Sequence, residues 1–348
     1  PQVTNYEAGG DNSWRNSFRL YNVDFQDDTS KLKDGSYRIT SSTGGVLKDW
    51  TLIFQSTNVV SYAQNWGVDW NSLKEGTNYI SVKLEDYAGN TEQENNIFFV
   101  KKDTTPPSIQ DSQSGDDTWR TANSGTYNIN FTDTGGSLLD KFQIKVTTGA
   151  DFTGALVFDW ADVITEIASA SYSDDWQIPS AIFNAMEPGK NYVHVRAYDL
   201  AGSTQVLPNS FYVLKDTSLP AIGIHFSGDD TWRRSPGTKY DVDFEDYDSK
   251  LSTGYYRVKT STGGVWKDWS VIFSSPGASS FTTDWELDFS GLKEGVNSID
   301  VKVYDGIGNF YEASGLFHVK KDTTSPVLDD NQSGDDTWRY VNNVLYDI

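Results

Sequence analysis

The chain has 348 residues, no cysteine, and 49 acidic against 28 basic side chains, a formal charge of −21. That balance opposes nucleic-acid binding, which needs a surplus of Lys and Arg on one face, and it disfavours adsorption to anionic lipid. Disulfides are excluded as a source of stability, and no apolar run approaches the roughly 20 residues of a membrane-spanning helix.

Taken from the N-terminus, the predicted elements are short strands: Leu20–Phe25, Ser36–Thr40 and Leu47–Phe54, separated by Gly, Asn, Asp and Ser. Ile80, Val82 and Leu84 then alternate with Ser81, Lys83 and Glu85, a period of 2 that marks a half-buried strand, and Asn96–Val100 follows. The same alternation returns at Val193, Val195 and Ala197 and again at Ile299, Val301 and Val303. Ala161–Ala170 is the only stretch that suggests a helix.

A recurring phrase explains this recurrence. Ser-Gly-Asp-Asp-Thr-Trp-Arg stands at Ser114–Arg120, Ser227–Arg233 and Ser333–Arg339, with a looser copy at Gly10–Arg15. Its tryptophans, Trp14, Trp119, Trp232 and Trp338, step by 105, 113 and 106 residues (119−14, 232−119, 338−232). A period of one small domain means tandem modules. A second phrase closes each copy, at Lys101–Pro107, Leu214–Pro220 and Lys320–Pro326, and its prolines make it a short, stiff connector. Domains are therefore expected at 1–103, 104–216 and 217–322, with 323–348 holding the opening strands of a truncated fourth repeat. The chain reads as a window cut from a longer protein.

Leu73–Tyr79 and Met186–Tyr192 resemble the tyrosine corner entering the F strand of fibronectin type III and immunoglobulin-like domains. Asp86–Asn90, Asp199–Ser203 and Asp305–Asn309 look like the F–G turn of bacterial Ig-like repeats, and the Asp-Thr-Thr-Pro connector is similar to theirs. The resemblance implies an all-β chain of tandem antiparallel sandwiches in an extended row, of the kind found in large secreted surface proteins. Ser298 stands where the third corner's tyrosine is expected, so that corner should be braced differently.

Three classes of candidate site follow. Nine of the twelve tryptophans fall into recurring sets, Trp14/Trp119/Trp232, Trp50/Trp160/Trp269 and Trp66/Trp176/Trp285, whose recurrence suits inter-sheet packing. Trp70 and Trp266 occur once each and are the candidates for ligand contact. Carboxylates at the expected junctions, Asp103, Asp116, Asp117, Asp216, Asp229, Asp230, Asp246 and Asp322, with Asp27, Asp28, Asp133 and Asp248 after the second strand of their repeats, could converge on Ca²⁺, a hard cation that prefers six to eight oxygens. The competing reading is that Asp is a good turn residue. Histidine occurs only at His194, His225 and His318, none in register with another, which leaves little material for a nucleophile–base pair. His194 falls on the outward face of its strand and reads as solvated. The sequons at Asn130 and Asn331 would accept N-glycans given the machinery.

These readings point to a non-catalytic structural segment, a stalk, spacer or polymerising filament unit, located outside the cell or on its surface. Its partners would be neighbouring repeats or other copies of the chain. Repeats 1 and 3 resemble each other more than either resembles repeat 2, which suggests a two-domain unit of about 218 residues (232−14). The alternative is an adhesion or carbohydrate-binding set that recognises cell-surface glycans, or the accessory domains of a secreted enzyme.

Overall fold

A computed structural model describes residues 1–7, 10–113, 115–226 and 228–347. Two compact units divide the chain, Pro1–Asp216 and Thr217–Ile348. The first begins with β1 (Gln2–Asn5), β2 (Asp11–Arg15), β3 (Val23–Gln26), β4 (Leu32–Ser41), β5 (Val46–Phe54), β6 (Ser61–Tyr62), β7 (Gly76–Asp86) and β8 (Thr91–Lys102). They form a three-stranded sheet, β1-β3-β6, and a five-stranded sheet, β2-β8-β7-β4-β5. All pairs are antiparallel except β2 with β8, which run parallel. Inward positions such as Val23, Phe25, Ile39, Ile80, Val82 and Phe98 fill the space between the sheets. This is the immunoglobulin-like sandwich.

The unit's second half repeats the plan with β9 (Ser108–Asp111), β10 (Asp116–Arg120), β11 (Ile129–Thr132), β12 (Leu139–Thr147), β13 (Leu156–Ile164), β14 (Ser171–Tyr172), β15 (Gly189–Asp199) and β16 (Thr204–Lys215). Its sheets are β9-β11-β14 and β10-β16-β15-β12-β13, around a core of its own. The expected helix at Ala161–Ala170 is not there: Ala161–Ile164 ends β13 as strand. One turn of helix, Ser180–Ala185, instead follows Pro179, where the other repeats have 3₁₀ turns at Trp70–Ser72 and Phe289–Gly291 capped by Asp69 and Asp288.

The second unit carries β17 (Ala221–Ile224), β18 (Trp232–Arg233), β19 (Lys239–Tyr240), β20 (Val242–Glu245), β21 (Leu251–Thr260), β22 (Val265–Ala278), β23 (Ser280–Phe281), β24 (Trp285–Glu286), β25 (Gly295–Asp305) and β26 (Phe310–Lys321). The sheets β17-β20-β23 and β18-β26-β25-β21-β22 enclose the third core, with β19-β24 as a short extra pair. No strand forms in 322–347 among the described residues, so the expected opening strands of a fourth repeat are absent. Trp338 and Tyr340 there are exposed. The phrase itself still folds locally: Asp335 pairs with Arg339 at 2.9 Å and accepts the Thr337 N–H at 3.1 Å. The same clasp joins Asp116 to Arg120 and Asp229 to Arg233, so the phrase makes its local contact with or without a paired strand around it.

The corner before β7 is made by asparagine, not tyrosine. Buried Asn78 donates to the carbonyls of Lys74 and Gly76 at 2.8 and 3.0 Å, and its Oδ1 accepts the Lys74 N–H. Asn191 and Asn297 repeat the pattern. Ser298 therefore changes nothing, and the third corner is braced like the others.

Only one of the three tryptophan sets is core. Trp66, Trp176 and Trp285 are buried, at 4–6 % exposure. Trp160 and Trp269 lie on the outer sheet face under cations, with Arg196 4.3 Å from one ring centre and Arg257 and Lys302 4.4 and 4.3 Å from the other. Trp14 and Trp119 are half-buried, and Trp232 is exposed.

His194 is likewise not solvated; it is buried. A bulge in β16 sends the Asn209 N–H to His194 Nδ1 at 3.0 Å, Phe152 stacks over the ring, and Nε2 lies 2.8 Å from Thr147 Oγ1. In the other repeats the bulge amides of Asn96 and Gly315 go to Ser81 and Asp300, so the position serves as a backbone acceptor. An Nδ1 acceptor requires neutral imidazole with its proton on Nε2. Burial, with Lys145 nearby, pushes His194 down to about 4.

Candidate metal centre

The site is built where the first two sandwiches meet. β8 ends at Lys102, and the connector begins with Asp103, whose N–H donates to the Arg15 carbonyl at 2.9 Å. Thr104 binds Glu75 of the first repeat through both its N–H (2.9 Å) and its hydroxyl (2.6 Å). From the other side, the Ser137 N–H of the second repeat donates to Asp103 Oδ2 at 2.8 Å. The connector is thus held to both modules, which a proline-stiffened segment accepts at little cost in conformational entropy.

Asp103 enters the cup formed by the β11–β12 loop and the β15–β16 turn. Asp133 follows β11 and accepts the Leu138 N–H at 3.0 Å. Asp199 closes β15, and its Oδ1 accepts the Ser203 N–H at 2.8 Å. One carboxylate oxygen from each of Asp103, Asp133 and Asp199 lies within 4.8 Å of the others, and all three residues are buried. Glycine permits the approach: a Cβ on Gly135 would lie 1.8 Å from Asp103 Oδ1. Next to it, Gly136 has φ +112° and packs under the Trp14 ring, where a Cβ would sit 3.0 Å away. That contact half-buries Trp14 and gives the recurring tryptophan a role at the junction.

The electrostatics are unbalanced. Asp199 Oδ2 is buried without a hydrogen-bond partner. In the first repeat the equivalent oxygen, Asp86 Oδ2, accepts from the Asn90 side chain at 2.8 Å; the second repeat has Ser203 in that place, too short to reach. Burial, with Asp103 and Asp133 alongside, pushes the Asp199 carboxyl up to about 6. Three crowded carboxylates with one orphaned oxygen make a donor set for a hard divalent cation, for which Ca²⁺ chemistry is the match.

Four of the other expected ligands, Asp116, Asp117, Asp229 and Asp230, are engaged elsewhere. Asp116 pairs with Arg120 at 2.8 Å and accepts from Tyr127; Asp229 does the same with Arg233 and Tyr240. Both lie on or beside the strand that runs parallel to the last one, not in a turn facing a connector. Asp117 accepts from the Tyr212 hydroxyl, and Asp230 from His318 and Lys320, both at 2.9 Å. Asp216 is buried and bonds the Arg120 carbonyl through its N–H at 3.1 Å. Asp246 is buried, with Oδ1 on the Lys250 N–H at 2.7 Å, and exposed Asp322 accepts from Thr324. Trp70 packs against the first core beneath Lys102, while Trp266 is about half exposed. Asn130 is half-buried on β11, and Asn331 is exposed.

Sequence reasoning named Asp103 and Asp133 among the candidate ligands but left out Asp199, which opens a hairpin turn 66 residues beyond Asp133 (199−133). The signal at Asp199 is Ser203, which stands where the first repeat has Asn90 bonded to Asp86.

No known family profile matches the chain, and no curated protein matches it in sequence. Among solved structures it is similar to a tetra-tandem repeat in the extending region of a large adhesion protein, with 20 % identity over 88 % of this chain and 71 % of that one, at a TM-score of 0.30. A Ca²⁺-stabilized adhesin that helps an Antarctic bacterium reach out and bind ice matches at 14 % identity, 92 % and 74 % coverage, and a TM-score of 0.37. Fibronectin(III)-like modules of Clostridium thermocellum CbhA match at 14 % identity over 64 % of this chain and 98 % of theirs, at 0.24. By its own strand order and register, the chain is a set of tandem immunoglobulin-like, fibronectin type III-like β-sandwiches.

Proposed function

We propose that the chain is a spacing segment of an extracellular or cell-surface protein, in which Ca²⁺ bound between repeats fixes one sandwich on the next. The observation that carries this reading is the buried Asp103–Asp133–Asp199 cluster, which draws one ligand from the connector and two from the following module. A cation there ties the repeats together through the connector itself. Each sandwich has a separate apolar core, so what the junction adds is orientation, the property on which a spacer depends. The acidic surface keeps such a segment soluble and opposes lateral clumping.

The test is calorimetry and small-angle scattering of the full chain in millimolar Ca²⁺ and in chelator. Calcium should raise the lower melting transition and narrow the distribution of interdomain distances. If both curves are identical in the two conditions, the reading fails.

A second reading, glycan recognition, is favoured by one surface of the third repeat. Tyr255, Trp269, Lys302 and Tyr304 line an open cavity of about 280 Å³ on its outer sheet face, and Trp266 is exposed on β22 of the same sheet. Glycan-array binding that disappears in Trp266→Ala or Tyr304→Ala would favour it over the spacer; an array with no signal would remove it.

A further inference from the structure

We propose that the third repeat carries a second cation site of different chemistry, in which His225, Asp241 and Asp243 bind a borderline divalent transition ion of the Zn²⁺ type. The site lies on the outer face of the β17-β20-β23 sheet and is independent of the junction.

Strand alternation builds it. Val242 and Phe244 point into the core, so Asp243 on β20 and Asp241 just before it, two residues apart, point outward. Facing them, Gly223 is directly opposite Asp243, and the His225 N–H donates to the Asp241 carbonyl at 3.1 Å. The imidazole lies over Gly223, with Nε2 3.1 Å from Asp243 Oδ2; a Cβ on that glycine would stand only 3.3 Å from Nε2. One ligand atom from each of His225, Asp241 and Asp243 is within 4.8 Å of the others. Tetrahedral zinc, with bonds of about 2.0–2.2 Å, places its donors roughly 3.3–3.6 Å apart, a contraction that side-chain rotation supplies.

Ligand type then selects the ion. The junction offers oxygen alone and suits a hard cation; a nitrogen donor shifts preference toward Zn²⁺ and its neighbours. The His225 side chain is 54 % exposed, so a fourth position stays open to water. The constellation also belongs to this repeat alone. The matching positions are Thr4, Tyr6, Asn22 and Asp24 in the first repeat and Gln110, Ser112, Asn128 and Asn130 in the second. Shared features in this chain serve the scaffold, and a ligand set found in one copy is not needed for the fold.

Equilibrium dialysis of the full chain against Zn²⁺, with Ca²⁺ in large excess, is the experiment. One saturable zinc per chain is expected, weakened at least tenfold in His225→Ala and in Asp243→Asn, with zinc-free melting curves unchanged. His318→Ala is the control, because His318 beside Asp230 is the other exposed imidazole–carboxylate pair. The proposal is overturned if no saturable zinc binds, if His225→Ala binds like the parent, or if His318→Ala abolishes binding instead.

Discussion

Replacing Asp199 by asparagine separates the cost of the junction from its purpose. The carboxyl sits at about 6 against an ordinary value of 3.8, because burial and the charges of Asp103 and Asp133 oppose its ionised form. A shift of about two units corresponds to roughly 3 kcal/mol, since each unit is worth about 1.4 kcal/mol. The folded value is raised, so the favourable contribution is present below about pH 4 and is lost as pH rises through about 6. At pH 7.5 in chelator the ionised cluster therefore destabilises the second sandwich. Asp199→Asn keeps the shape, removes one charge and turns a donor toward two acceptors. Its melting midpoint in chelator should exceed that of the parent by on the order of 10 °C for a domain of about 100 residues. In Ca²⁺ the order should reverse, because a ligand at a thousandfold its dissociation constant adds about 4 kcal/mol to the parent and much less to a variant lacking one carboxylate. Differential scanning calorimetry of the full chain in both conditions reads out this crossing. A variant that melts below the parent in chelator, or that gains as much from Ca²⁺, refutes the reasoning.

Gly135→Ala should abolish the Ca²⁺-dependent rise in melting temperature, because its methyl group would occupy the space of Asp103 Oδ1, while chelator-state melting of the first sandwich stays unchanged in the same scans. Asn191→Ala should destabilise the second sandwich by about 2–3 kcal/mol by leaving buried corner groups unpaired, and Tyr192→Phe by less than about 0.5 kcal/mol; urea midpoints compare the two. His194 is depressed to about 4, so its contribution is complete above about pH 6.5 and is lost as pH falls through about 4. In the Asp199→Asn background, where the opposing carboxyl is gone, stability of the second sandwich should fall by about 3 kcal/mol over that window. His194→Ser, which keeps an acceptor for the bulge, should flatten the profile in pH-resolved urea melts.

The sandwiches were legible because alternation at residues such as Ile80, Val82 and Leu84 has one meaning, and because the repeated phrases delimit the copies. Side-chain direction was less legible wherever a bulge intervenes. Two extra residues around Asn209 cover the outer face of β15 and turn an apparently solvated His194 into a buried acceptor. Recurrence of tryptophan could not separate a core indole such as Trp176 from Trp160 lying under Arg196, since both recur at the same period. The corner was misread by one residue: Asn78 and Tyr79 are adjacent, and only the bond geometry shows which of them turns inward. At the junction, Asp103 was legible as the start of a stiff connector. Asp133 was legible as an acid after a strand, but Asp199 was not, because it meets the other two only after two loops of the next sandwich close over the connector.

The chain has ways to neutralise a buried carboxylate when it needs to. Asp300, also buried, receives Arg257 at 2.7 Å and Lys259 at 2.6 Å, and the clasp aspartates each receive an arginine four residues on. At the first junction the carboxylates instead face one another, and the turn there lacks the asparagine that satisfies the corresponding oxygen of Asp86. Burying like charges without a counter-ion is among the most destabilising arrangements a small domain can hold. Bonds to backbone amides account for one oxygen of Asp199 but not for the other. A cation supplied from solution would remove the repulsion and satisfy that oxygen in one step, and would do so only with the connector seated. Stability of the second sandwich and its alignment on the first would thereby become the same equilibrium. A spacer built this way would stiffen where calcium is plentiful and loosen where it is scarce.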